Sequence, residues 1–196
     1  MPTPHVQLIL GSTRQARFGE AVAGWFHRIA SARTDLTVEL LDLRDWPLAF
    51  LDAHIPPAMA VSADPDTRRW ADRLSQAQAY VLLTPEYNHG PSAVLKNALD
   101  HVYEEWRRKP VGFVSWGGPG GGVRAVEQLR QITVELQIAP MRQQVAIPNV
   151  YASFDPDGNP INPRHAADAA VALDELMWWT AALTAARDGA PLAAAN

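Results

Sequence analysis

Apolar positions along this chain follow two rhythms that take turns. Short, nearly unbroken runs occur at Val6-Gln7-Leu8-Ile9-Leu10, Ala79-Tyr80-Val81-Leu82-Leu83 and Val111-Gly112-Phe113-Val114-Ser115-Trp116. They have the length and composition of parallel strands buried on both faces. Residues 37–43 make another strand, placed near a sheet edge by Glu39 and Asp42, and a last short one lies around 144–147. Between the strands the spacing becomes helical. Val22, Trp25, Phe26 and Ile29 share a face over 20–32, and Trp70 and Leu74 turn inward in a helix that Asp64 caps and Pro65 begins. Residues 93–102 repeat apolar positions behind the cap candidate Ser92. Val126, Leu129, Ile132, Thr133 and Leu136 form one stripe, and a final helix covers about 163–187 before a frayed tail at 191–196.

Five strands alternating with five helices, without an internal repeat or a dividing linker, predict one α/β domain over residues 1–196. A parallel doubly wound sheet with helices on both faces follows, in either the Rossmann or the flavodoxin strand order. Five strands favour the flavodoxin-like three-layer sandwich, order 2-1-3-4-5, with a ligand at the carboxyl ends of the central strands. The connection over 44–63 is long for a compact domain and is expected to cover a site or an interface.

Composition narrows the chemistry. With no cysteine, thiol redox chemistry, zinc–thiolate sites and a cysteine nucleophile drop out together. A formal net charge of -4 gives no electrostatic reason for a nucleic-acid or anionic-membrane partner. The start, Met1-Pro2-Thr3-Pro4-His5, lacks a signal peptide's basic region and apolar run, and no stretch approaches a membrane span, so a cytoplasmic protein is expected. The six histidines are scattered without metal-ligand pairing.

Three loops at strand ends carry the remaining signal. Gly11-Ser12-Thr13-Arg14-Gln15-Ala16-Arg17-Phe18-Gly19 opens the first helix, where backbone N–H groups, hydroxyls and arginines suit a phosphate. It is neither a Walker A loop nor a Gly-x-Gly-x-x-Gly fingerprint, and a polar turn with two solvated arginines is the alternative. Thr84-Pro85-Glu86-Tyr87-Asn88-His89-Gly90-Pro91-Ser92 is too polar and too punctuated for chain reversal alone. Its Glu86 has no partner within the loop and either faces solvent or pairs with an arginine. Gly117-Gly118-Pro119-Gly120-Gly121-Gly122 lets a ligand approach the backbone or makes a flexible turn, with Trp116 before it as core plug or aromatic wall. Together the loops suit a ligand with a phosphate tail and a flat polar head, such as FMN.

Gly11-Ser12-Thr13-Arg14, Thr84-Pro85-Glu86-Tyr87-Asn88-His89-Gly90, Leu95-Lys96-Asn97-Ala98-Leu99-Asp100 and Ser115-Trp116-Gly117-Gly118 closely resemble the NADPH-dependent FMN reductase family, which includes flavin, quinone, azo and chromate reductases. The resemblance implies an FMN phosphate at Ser12 and Arg14, with Arg17 and Gly19 beside it. It implies a ring edge held by backbone groups of Pro85, Glu86, Tyr87 and Asn88, with Ser115, Trp116, Gly117 and Gly118 nearby. It implies hydride transfer from NADPH or NADH to N5 of FMN and on to a small-molecule acceptor, with no catalytic side chain and no metal. It also implies a homodimer or homotetramer. A flavodoxin-type electron carrier is the alternative, although such carriers are usually more acidic. Two positions depart from many relatives: Trp116 replaces a tyrosine, which alters the flavin wall, and His101 replaces a tryptophan, which is expected to alter a subunit contact.

Overall fold

The computed structural model describes residues 3–60 and 62–189; the tail expected at 191–196 lies outside the described residues. Five parallel strands form one sheet in the order β2-β1-β3-β4-β5. They are β1 (His5–Leu10), β2 (Thr37–Asp42), β3 (Ala79–Pro85), β4 (Pro110–Trp116) and β5 (Ala139–Ile147). The helices are α1 (Gly19–Ser31), α2 (Pro65–Ser75), α3 (Ala93–Asp100), α4 (Val123–Glu135) and α5 (Arg164–Gly189). This is the flavodoxin-like order expected from the pattern.

Strand alternation sends side chains into two cores. Val6, Leu8, Leu10, Val81, Leu83, Val114 and Trp116 face α1 and α5, where Val22, Phe26, Leu173 and Leu176 meet them. Ile9, Tyr80, Leu82, Val111 and Phe113 face α2, α3 and α4, where Trp70, Leu74, Leu95, Leu99 and Leu129 close the other layer. In that second layer Trp46, Trp70, Trp106 and Tyr80 follow one another with centroid distances of 5.0, 6.4 and 4.7 Å. Among the described residues no helix is long and apolar enough to cross a membrane.

The predicted caps form. Asp64 accepts from the Thr67 N–H at 2.7 Å with Pro65 in the first turn, and Ser92 accepts from the Leu95 N–H at 3.3 Å. Two boundaries move. β5 begins at Ala139 rather than near residue 144, because an edge strand needs only one buried face and so tolerates Arg142, Gln143 and Gln144. α3 ends at Asp100, with His101 as its C-cap. The His101 side chain is buried within the chain. Its Nδ1 lies 2.8 Å from Thr67 Oγ1 and its Nε2 2.8 Å from the Ala49 carbonyl. A carbonyl only accepts, so Nε2 carries the proton and the Thr67 hydroxyl donates to Nδ1. With Asn97, which donates to the Ala49 carbonyl at 2.8 Å and accepts from the Leu51 N–H at 3.1 Å, His101 fastens the long 46–63 connection to α3.

Candidate functional site

The carboxyl ends of β1, β3 and β4 bring the three sequence-marked loops together. In the β1–α1 loop, arginines hold the carbonyls from behind. Arg17 donates to the Ser12 carbonyl, and Arg44 donates to the Arg14 carbonyl at 2.6 Å and to the Thr13 carbonyl at 3.4 Å. Among the described residues no peptide is cis, so each carbonyl and the following N–H point in opposite directions. Holding these three carbonyls therefore turns the N–H groups of Thr13, Arg14 and Gln15 the other way. Among the described residues those N–H groups meet no protein acceptor. The first turn of α1 is also open, since its N-cap is Phe18 and no side chain caps it. The result is a row of unspent donors at a positive helix end, which suits an anion.

Charge bookkeeping sharpens this. Arg17 is paired with Asp42 and Glu20, and Arg44 reaches Glu20 at 2.6 Å. Burial works against the charge of Arg17, but Asp42 and Glu20 outweigh it and hold the group protonated. Burial also pushes the Asp42 carboxyl up, and Arg17 together with the Arg44 N–H and charge more than reverses this. The two carboxylates thus balance Arg17 and Arg44. Arg14, whose side chain donates to the Tyr151 hydroxyl at 3.1 Å and meets no carboxylate among the described residues, is left as the surplus cation.

The β3–α3 loop is tied to the first loop: Ser92 Oγ donates to the Gly11 carbonyl, and Tyr87 OH lies 3.1 Å from Ser12 Oγ. Tyr87 and Gly90 exchange backbone hydrogen bonds of 2.9 and 3.0 Å across Asn88 and His89, both of which have positive φ. That is a type I′ turn, and it sets Asn88 at an exposed tip. The backbone donors of Glu86, Tyr87 and Gly117 are spent on the carbonyls of Trp116, Gly90 and Ile147. Of the expected backbone clamp, the N–H groups of Asn88 and Gly118 are the ones that meet no acceptor among the described residues.

Glu86 does not face a ligand with a free carboxylate. It accepts from the Arg124 N–H at 3.0 Å and from Arg124 Nη1 at 2.6 Å, capping α4 from the neighbouring loop. Burial pushes its pKa up, but Arg124 and the N–H groups of Arg124 and Ala125 bring it below its ordinary value of 4.5. A group with a lowered folded pKa stabilises fully above its unfolded value, and that contribution disappears as pH falls through the folded one. Glu86→Gln is accordingly expected to cost about 1 kcal/mol at neutral pH and to flatten the acid limb of the stability curve below about pH 5. Urea midpoints across that range check it; an equally steep limb in the variant would contradict the assignment.

A cavity of about 430 Å³ opens between these loops, lined by Ser12, Arg14, Arg17, Pro85, Glu86, Tyr87, Trp116, Gly117 and Gly118 of the expected residues. Three expected residues stand outside the wall. Gly19 makes room for Trp116, since a Cβ there would lie 2.8 Å from Trp116 Cζ2. Ser115 is buried and donates to the Gly121 carbonyl at 2.8 Å, shaping the glycine loop. Asn88 lies at the turn tip just described. Trp116 is both core plug and wall: it packs in the α1–α5 core and lines the cavity.

The sequence reading missed the fourth wall, Asn149, Val150, Tyr151 and Ala152. These residues belong to the Pro- and Gly-bearing connection 148–163 between β5 and α5, where no motif stood out. The available signal was position: the segment follows the carboxyl end of β5, the same sheet edge as the other loops. Arg44 was missed as well, because its contacts arise only from β2 lying beside β1.

Known proteins bear on this geometry directly. The chain matches the NADPH-dependent FMN reductase family over residues 4–152. It is 37% identical over 150 residues to an NAD(P)H-dependent FMN reductase of Schizosaccharomyces pombe, covering 74% of each protein. It is 28% identical over 166 residues to a quinone reductase of Pseudomonas putida, covering 81% of this chain and 85% of that one. In fold it is similar to FerB, a flavoenzyme NAD(P)H:(acceptor) oxidoreductase from Paracoccus denitrificans, with a TM-score of 0.69 at 21% identity over 91% of this chain and 98% of that one. With the flavodoxin-like sheet and a donor-lined cavity at its carboxyl edge, the chain belongs to the NADPH-dependent FMN reductase family of oxidoreductases, which work with FMN and a nicotinamide co-substrate.

Proposed function

We propose that this chain takes hydride from NADPH or NADH and delivers it by ping-pong turnover to a small acceptor: free flavin, a quinone, an azo compound or chromate. The observation that carries the reading is the junction of an anion seat with an open glycine wall in one cavity. The open N–H groups of Thr13, Arg14 and Gln15 and the surplus charge of Arg14 suit the phosphate of FMN. At the other wall Gly118 is exposed and a Cβ there would meet no protein atom within 4 Å, so its backbone is open to a ligand entering the cavity. Donor set and space both fit the cofactor.

When bound, FMN supplies the hydride chemistry itself. The protein's share is binding and orientation. The N–H groups of residues 13–15 and Arg14 hold the phosphate, and Ser12 adds a hydroxyl. The free N–H group of Gly118, on the cavity wall, would meet the ring edge, where a fixed donor stabilises negative charge without reorganising. Trp116 and Pro85 exclude water from one side. Glu86 is committed to Arg124 and takes no proton in the reaction.

A cytoplasmic homodimer or homotetramer is part of the proposal. Phe50 and Met59 are 81% and 78% exposed on the connection fastened to α3, an apolar surface that suits a second copy. Steady-state oxidation of NAD(P)H with free FMN, a quinone and an azo dye tests the function. Parallel double-reciprocal lines for at least one acceptor are expected, and no turnover with any electron acceptor would contradict it.

A further inference from the structure

The fourth wall carries a role that the three family-marked loops do not explain. Its backbone is fixed to the glycine loop: the Asn149 N–H donates to the Gly118 carbonyl at 2.9 Å and the Val150 N–H to the Gly117 carbonyl at 3.1 Å. Asn149 takes a left-handed conformation, φ 46°, which asparagine tolerates better than most residues. Ser153 Oγ donates to the Pro148 carbonyl at 2.6 Å, closing the turn. Val150 is buried, yet the next residue, Tyr151, is 71% exposed at the cavity wall.

Tyr151 is placed rather than loose. Its ring stands edge-on to Phe18 with centroids 5.5 Å apart, and Phe18 in turn packs against Phe154 at 5.3 Å. Its hydroxyl accepts from Arg14 Nη2 at 3.1 Å. The chemistry of that partner matters. Arg17 and Arg44, behind the loop, are held by carboxylates that neutralise them, whereas Arg14 is held by a neutral hydroxyl. A hydroxyl orients a guanidinium while leaving its charge and its other N–H groups free for an anion. Tyr87 OH lies 3.1 Å from Ser12 Oγ, so a second tyrosine hydroxyl reaches the same loop.

We infer that Tyr151 is a positioning residue that aims Arg14 at a terminal phosphomonoester and so selects phosphorylated flavin over unphosphorylated flavin. The inference rests on the phosphate seat proposed above. It concerns the tail of the ligand alone, because Tyr151 reaches the anion through Arg14.

The test compares FMN and riboflavin binding, by quenching of flavin fluorescence, in the parent protein, Tyr151→Phe, Arg14→Ala and the double variant. The parent is expected to bind FMN at least about tenfold more tightly than riboflavin. Tyr151→Phe keeps the ring against Phe18 and removes the hydroxyl. It is expected to weaken FMN about 3- to 10-fold and speed its release, with riboflavin changed less than about twofold. In the Arg14→Ala background the same change is expected to do nothing more to FMN. The thermal midpoint of the flavin-free protein should not move, since the hydroxyl's one partner is itself a surface group. An unchanged FMN-to-riboflavin ratio in Tyr151→Phe, or an equal loss of FMN affinity in the Arg14→Ala background, would overturn the inference while leaving the phosphate seat intact. A parent protein indifferent to the phosphate would overturn the seat and the inference together.

Discussion

Arg17→Ala is expected to lower the stability of the flavin-free protein by about 2–4 kcal/mol and to weaken FMN binding at least about tenfold. The Arg17 side chain is 3% exposed and bonds Asp42, Glu20 and the Ser12 carbonyl at once. Removing it takes the bonded countercharge from the Asp42 carboxylate, and the expected cost lies toward the lower end for a buried pair because Asp42 keeps the Arg44 N–H at 3.0 Å and some contact with solvent. The loss of affinity has a separate origin. Without Arg17 no other donor among the described residues holds the Ser12 carbonyl, so the Thr13 N–H is no longer turned toward the anion seat. A companion variant separates the two effects. Arg17→Ala with Asp42→Asn should recover much of the stability and none of the affinity. Denaturant midpoints and flavin titration read them independently, and recovery of both together would show that Arg17 contributes only to the fold.

Gly118→Val is expected to do the reverse. Its backbone needs no positive φ, and an added Cβ meets no protein atom within 4 Å, so the flavin-free protein should melt within about 0.5 kcal/mol of the parent. The branched side chain would occupy space at the cavity wall and cost about 1–3 kcal/mol of FMN affinity, on the order of 5- to 150-fold. Gly122 in the same loop supplies the contrast. With φ 85° and a Cβ that would lie 2.7 Å from Ser115 Cβ and 2.9 Å from the Trp116 nitrogen, it is required by the turn itself. Gly122→Ala should therefore destabilise the flavin-free protein, which Gly118→Val should not. Unchanged flavin affinity in Gly118→Val would place the ring elsewhere.

These expectations also mark what could be read from the chain alone. Strand runs, helical stripes and the caps at Asp64 and Ser92 are local, and they located all ten main elements and the parallel sheet. β5 was shortened because an edge strand need not look apolar throughout. The first loop could be read by residue type as a candidate phosphate seat or a polar turn with solvated arginines, and the division of labour among its arginines was not legible. Arg17 and Arg44 work from behind the loop and Arg14 from the front, a distinction set by Asp42 and by the adjacency of β2 to β1. Glu86 was left between solvent and an arginine partner, and the partner, Arg124, lies 38 residues further on. Tyr151 was passed over because one aromatic in a turn-rich connection has no periodic signature. Local physics is written in the sequence, while contacts across the sheet edge appear only once the strands are in order.

Under this account the same cavity serves binding and reduction, so NAD(P)H should need no second protein. The most direct measurement is anaerobic: the purified chain is loaded with FMN, NADPH or NADH is added, and the yellow absorbance of the bound flavin is followed. The account predicts one FMN per chain and its bleaching by the nicotinamide alone, with colour restored by a quinone. Tightly bound FMN that stays oxidised until a separate reductase is supplied would contradict it and would make the protein an electron carrier.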